Sequence, residues 1–223
     1  IAVPAGVYQV SYVDCQGWDY AAEWFGTTTI EPVDTTVGGA DASMSLTTGS
    51  MTGLVDMGQG LWALSRPRTE WVFEFYFGNP GDYPFVGDWN CDGVDTPGMY
   101  RQTDGYVYLR NSNTQGIADI RFFFGNPGDV PLAGDFNGDG CDTVSIYRPS
   151  NQTFYIINKL GENDGGLGAA DLAYVFGNPG DKPFVGDFDA DGVDTVGLHR
   201  ETTGLVYFRN SHTQGNADNQ YIF

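Results

Sequence analysis

Hydrophobic and polar residues alternate in short runs along most of this chain, and each run is closed by glycine, proline, asparagine or aspartate. Period-two runs bounded by turn residues predict short β-strands, and the 3.6-residue periodicity of amphipathic helices is absent. Between Phe85 and Phe124 the pattern predicts four strands: Phe85-Val86-Gly87, Thr96 to Arg101, Tyr106 to Arg110 and Ile120 to Phe124.

The same segment recurs. The hexapeptide FGNPGD begins at Phe77, Phe124 and Phe176, at offsets of 47 and 52, and those offsets also carry Asp88 to Asp135 and Asp187, and Arg101 to Arg148 and Arg200. Five extra residues in the middle unit fall between Asn158 and Asp171, where the glycine-rich, acidic stretch KLGENDGGLGAA reads as an exposed loop. Four short strands in a period of about 40–50 residues fit a β-propeller blade, with a β-solenoid or an array of small β domains as the competing repeat architectures. Asn-Pro-Gly-Asp supplies the turn between blades, because proline fixes φ at one central position and glycine accepts φ > 0 at the next.

The predicted fold is therefore all-β: a propeller of four-stranded blades with about four blades in this chain. A larger propeller completed by another chain, or an excised fragment of one, is the alternative. Residues 1–56 read as an N-terminal strand segment and a degenerate first blade, with plausible strands at Tyr8 to Val13 and Ala42 to Leu46. Thr27 to Thr52 holds eleven hydroxyl residues, a stretch open to a second reading as a glycosylated or partner-binding arm. Residues 57–76 supply the outer strands of that blade, and residues 77–123, 124–175 and 176–223 are repeats 1, 2 and 3.

Composition sharpens this picture. Thirty-two glycines beside five Trp, thirteen Tyr and fifteen Phe agree with strands joined by tight turns. A formal charge of −19 would repel the phosphates that a nucleic-acid partner presents, which excludes that class. No apolar run approaches the ~18 residues of a membrane span, and the opening Ile1-Ala2-Val3-Pro4 lacks a leader's basic segment, so the chain reads as soluble, a mature product whose leader has gone.

Much of the acidity sits at regular places between the first and second strand of each unit, as DWNCDGVD from Asp88, DFNGDGCD from Asp135 and DFDADGVD from Asp187. Oxygen side chains at positions one, three and five with glycine at six are the pattern by which a tight loop converges on a hard cation. Three calcium sites follow: Asp88, Asn90, Asp92 and the Val94 carbonyl; Asp135, Asn137, Asp139 and the Cys141 carbonyl; Asp187, Asp189, Asp191 and the Val193 carbonyl. Ordinary, cation-free Asx turns are the alternative. Magnesium fits less well because it demands near-ideal octahedral geometry and retains waters.

These loops, their place between strands and the recurring FG before a turn resemble the FG-GAP/VCBS-type repeats of integrin-α-like and bacterial secreted propellers, over residues 57–223. That family usually places its last ligand, an aspartate, at position nine. This chain has Thr96, Thr143 and Thr195 there and carries Asp95, Asp142 and Asp194 at position eight, which stand as the candidate last ligands. The resemblance implies an extracellular structural, adhesive or binding role and no particular activity.

Recurrence of Arg101, Arg148 and Arg200 in every unit points to structural pairs with carboxylates, and Tyr108, Tyr155 and Tyr207 read as blade-to-blade packing. His199 stands where other units have Tyr100 and Tyr147 and reads as a core substitution, while His212 reads as an exposed loop residue. With two histidines, no nucleophile elbow and no HExxH, an enzyme is not expected. The expected function is a noncatalytic, calcium-stabilised surface, adhesive or filament-forming module. A lectin using the loops RNSNTQGIAD and RNSHTQGNAD for glycans is the alternative, and a secreted hydrolase a more distant one. Cys91 and Cys141 interrupt different loop positions in adjacent units, which predicts a disulfide between them. Self-association is expected through an edge strand, with Tyr8 to Val13 as the connector within or between chains.

Overall fold

The structure is a computed structural model, which describes residues 12–13, 20–25, 28–29, 45–46, 51–65, 71–161 and 169–222. Most of the Tyr8 to Val13 and Thr27 to Thr52 segments, together with Cys15, lies outside the described residues. Every helix or strand among them is a strand. No helix there is long and apolar enough to cross a membrane.

The chain forms a four-bladed β-propeller of antiparallel sheets. The first sheet is built from β1 (Tyr12–Val13), β2 (Tyr20–Phe25), β5 (Met51–Asp56), β6 (Leu61–Ser65) and β7 (Trp71–Tyr76), with β3 (Thr28–Thr29) and β4 (Ser45–Leu46) making a separate two-stranded ribbon. Its blade core is β2-β5-β6-β7, so residues 1–56 supply two of the four strands and residues 57–76 the other two. The second blade is β8 (Tyr83–Gly87), β9 (Thr96–Arg101), β10 (Tyr106–Leu109) and β11 (Ile120–Phe123). The third is β12 (Val130–Gly134), β13 (Thr143–Arg148), β14 (Thr153–Ile156) and β15 (Leu172–Val175). The fourth is β16 (Lys182–Gly186), β17 (Thr195–Arg200), β18 (Leu205–Phe208) and β19 (Asn219–Ile222). Contacts run between β2 and β8, β8 and β12, and β12 and β16, which puts the first strand of each blade innermost.

The FGNPGD linkers close as turns because their chemistry leaves little choice. Asp82 donates its N–H to the Asn79 carbonyl at 3.0 Å, Gly81 takes a φ of 85°, and the Asp82 carboxylate accepts the Asn79 N–H in return. The linkers at Asn126 and Asn178 repeat the same pair of bonds. The phenylalanine that opens each hexapeptide, Phe77, Phe124 or Phe176, is buried.

The hydrophobic cores lie in the seams between blades. Trp62, Leu64, Phe77 and Met99 pack where the first blade meets the second. Phe85, Tyr100, Phe122 and Ile146 fill the next seam, and Phe136, Tyr147, Phe154 and Leu198 the one after. Alternation along each strand allows this, since residues two apart face the same neighbouring blade. Each fully buried aromatic or aliphatic side chain contributes roughly 1.5–3 kcal/mol. Tyr100 and Tyr147 are covered by the unit that follows them, whereas His199 at the same position is only partly buried, so it does not act as the core substitution expected of it.

Candidate functional site

Each acidic loop leaves the end of an inner strand and is anchored by the aromatic at its second position. Trp89 and Phe136 are buried there, and the Trp89 indole N–H donates to the Thr96 carbonyl at 3.1 Å. With position two turned inward, the side chains at positions three and five are exposed in all three loops, while Asp88 is buried and Asp135 and Asp187 are half-buried. Backbone donors then organise the first aspartate: Asp88 Oδ1 accepts from the Asp92 N–H at 3.0 Å and Oδ2 from the Gly93 N–H at 2.7 Å. Asp135 takes the N–H groups of Asp139 and Gly140 in the same way, and Asp187 those of Asp191 and Gly192. The fifth-position aspartate accepts from the residue at position seven in all three loops: Val94, Cys141 and Val193. The fourth position is left-handed throughout, at φ 62° in Cys91, 73° in Gly138 and 62° in Ala190.

The loops differ at position three. Asn90 donates Nδ2 to Asp92 Oδ2 at 3.0 Å, and Asn137 donates to Asp139 Oδ2 at 2.9 Å, so each amide hydrogen-bonds the neighbouring carboxylate. Asp189 has no proton to offer. In the third loop the carboxylate oxygens of Asp187, Asp189 and Asp191 lie within 4.8 Å of one another. Three like charges at that spacing repel unless a cation sits among them.

Asp142 and Asp194 were expected to complete their own loops, yet their bonds run to the loop before. Asp142 Oδ2 accepts the Asp88 N–H at 2.8 Å while the Asp142 N–H donates to the Asp88 carbonyl at 3.1 Å. Asp194 makes the same two contacts with Asp135. The cause is placement: position eight enters the second strand beside the inner strand of the preceding blade, close to Gly87 or Gly134. A Cβ at Gly87 would stand 3.0 Å from the Asp142 carboxylate, and one at Gly134 would stand 2.9 Å from that of Asp194. Burial foremost, and the neighbouring charges of Asp95, Asp194 and Asp88, push the Asp142 carboxyl up to about 7 against the bond from the Asp88 N–H. Asp194 is pushed up to about 6, again by burial first and then by the charges of Asp135, Asp187 and Asp95.

A disulfide joins Cys91 to Cys141 with 4.8 Å between Cα atoms, so the first and second loops are linked covalently as well as through Asp142.

The recurrent arginines find their partners in the FGNPGD turns. Arg101 is forked on Asp82, Arg148 on Asp129 and Arg200 on Asp181, with Nη2 to Oδ2 distances of 2.9, 2.7 and 2.7 Å. Each also donates Nη1 to a tyrosine hydroxyl and lies over that ring, at 4.3 Å for Tyr108, 4.6 Å for Tyr155 and 4.5 Å for Tyr207. The tyrosines therefore do more than pack between blades. The constant separation of 19 residues between aspartate and arginine in all three repeats was the available sequence signal for this pairing.

Two further groups escaped sequence reasoning. Arg110 and Arg209 organise the loops that follow β10 and β18: Arg110 donates to the carbonyls of Thr114 and Ile117, and Arg209 to those of Thr213 and Asn216. His212 was expected to be exposed, but it lies between Phe136 and Tyr174 and its Nδ1 is 3.2 Å from the Tyr174 hydroxyl. Neither a protein-family model nor a curated protein matches the chain.

Proposed function

We propose that this chain is a noncatalytic, calcium-stabilised propeller of the FG-GAP/VCBS type that works as an extracellular structural, adhesive or filament-forming module. The observation that carries the reading is the third loop, where three carboxylates converge within 4.8 Å. An all-oxygen donor set on alternate residues of a glycine-containing turn suits a hard cation of flexible coordination. Asp187, Asp189, Asp191 and the Val193 carbonyl would hold the ion there. Asp88, Asn90, Asp92 and Val94, and Asp135, Asn137, Asp139 and Cys141, form the weaker counterparts, because their asparagines already bond the adjacent carboxylate. Calcium would supply the positive charge that relieves repulsion among these carboxylates.

The cross-loop disulfide supports an oxidising compartment. Recurrence of the arginine, tyrosine and carboxylate cluster in three units supports a structural use for the groups most suggestive of chemistry.

Calorimetric titration of chelator-stripped protein with calcium tests the reading. Saturable binding is expected, together with a rise in Tm that reflects about 2.7 kcal/mol per site at a hundredfold excess over Kd. A Tm indifferent to chelation would refute it. For the assembly role, deletion of residues 1–14 is expected to lower the mass in solution, and unchanged assembly would exclude that arm as the connector.

A further inference from the structure

The seam between the third and fourth blades is built differently from the one before it. Where the second blade meets the third, the Tyr100 hydroxyl donates to the Asn126 carbonyl at 2.7 Å. Gln102 covers the same linker, donating Nε2 to the Asp129 carbonyl and accepting the Gly128 N–H. One unit later the counterparts are Tyr147 and Pro149. The Tyr147 hydroxyl is buried without a hydrogen-bond partner, and proline has no side-chain polar group to lay across the linker. Burial and the charge of Asp181 push that hydroxyl up to about 12.

A cavity of about 410 Å³ opens along this linker. Its polar wall is made by Asn178, Asp181, Arg200, Tyr207, Gln214 and Asn216, and Val175, Leu198 and Ala217 give it an apolar side. The volume lies in the range of small-molecule sites, about 300–1,000 Å³.

We propose that this cavity is a binding site for a neutral, polyhydroxylated ring, a mono- or disaccharide unit of a glycan. Charge selects the class first: Asp181 and Arg200 neutralise each other in a forked pair at 2.7 Å, and the chain's net charge of −19 opposes an anion. Hydrogen-bond capacity selects it second. Tyr207, Gln214 and Asn216 each both donate and accept, as sugar hydroxyls do, while Val175 and Leu198 offer surface to the C–H face of a ring.

The wall is also set in advance. Arg200 donates to Tyr207 at 2.9 Å, and Asn178, with its amide oxygen turned to Arg200, accepts from Nη2 at 2.8 Å and donates to the Gly177 carbonyl at 3.2 Å. Arg209, itself buried, holds the loop bearing Gln214 and Asn216 through the Thr213 and Asn216 carbonyls, so little ordering remains to oppose binding.

The first repeat provides the control. Its counterparts of Leu198 and Asn216 are Met99 and Ile117, and Ile117 is accommodated with 86% of its surface exposed. Asn216→Ile therefore installs a side chain the repeat already tolerates while removing both hydrogen-bonding atoms of the amide, and Gln214→Ala alters an exposed position.

Full-length protein in calcium buffer would be titrated with glucose, galactose, mannose and cellobiose, and amide shifts followed by NMR, with glucuronate and glucosamine as charged counterparts. At least one neutral sugar is expected to shift amides within 175–181 and 198–217. Asn216→Ile and Gln214→Ala are each expected to weaken that binding about tenfold without changing Tm. Failure of all four neutral sugars to move those amides would overturn the site. Tighter binding of a charged counterpart would overturn the ligand class, and unchanged affinity in both variants would overturn the assignment to this cavity.

Discussion

Arg148→Met removes the partner of a buried carboxylate while keeping much of the arginine's apolar bulk. The Asp129 side chain is only 3% exposed, and without Arg148 it retains the Asn126 N–H as a donor but no opposite charge in the pair. Breaking a fully buried ion pair by removing one partner costs about 3–5 kcal/mol. Arg148 is 23% exposed, so water reaches the vacated side, and the expected loss is at the lower end, about 3 kcal/mol. For a chain of this size that is roughly 6–12 °C in Tm. Arg101→Met and Arg200→Met act on the same geometry and are expected to lose similar amounts, which provides two internal replicates. Adding Asp129→Asn to Arg148→Met should recover more than half the loss, because a neutral amide needs no counter-charge. Equilibrium urea denaturation in constant calcium, followed by tryptophan fluorescence and far-UV circular dichroism, measures the effect and shows whether the blades unfold together. Losses below about 1 kcal/mol at all three sites, or no rescue by Asp129→Asn, would refute the reasoning.

Acidification tests the same cluster from another side. Burial pushes the Asp181 carboxyl up, but the Arg200 bond and the Asn178 N–H outweigh it and hold the group below its ordinary 3.8. Its stabilisation is therefore fully present above that value and lost as pH falls through the lowered one, so the stability gap between wild type and Arg200→Met should shrink below about pH 4. Cys91→Ala/Cys141→Ala opens a cross-link spanning 50 residues, and the chain-entropy relation gives a loss of about 4 kcal/mol by urea denaturation. Ala190 holds a φ of 62° where the second loop has glycine, so Ala190→Gly should add about 0.5–1 kcal/mol, read as a higher urea midpoint. Asp189→Asn gives the third loop the amide already present in the other two, and calcium titration should show its affinity falling towards theirs.

Strand identity was legible in sequence because it is local: alternation, a repeated hexapeptide and turn residues define β8 through β19 with boundaries shifted by only a residue or two. The hydrogen-bonded turn around each loop's first aspartate is local in the same way, since its bonds reach only to positions five and six. The arginine–aspartate pairs were half legible, as recurrence announced them and only the fold identified Asp82, Asp129 and Asp181 as partners. Seam chemistry belongs to tertiary structure alone. Asp142 reaches Asp88 across 54 residues, and His212 meets Tyr174 across 38, because stacking one blade on the next brings together positions that no local pattern relates. The cavity beside Asp181 has the same origin: Val175, Asp181, Leu198 and Asn216 line one space only because the fold brings the end of β15, the linker after it and the loop after β18 together.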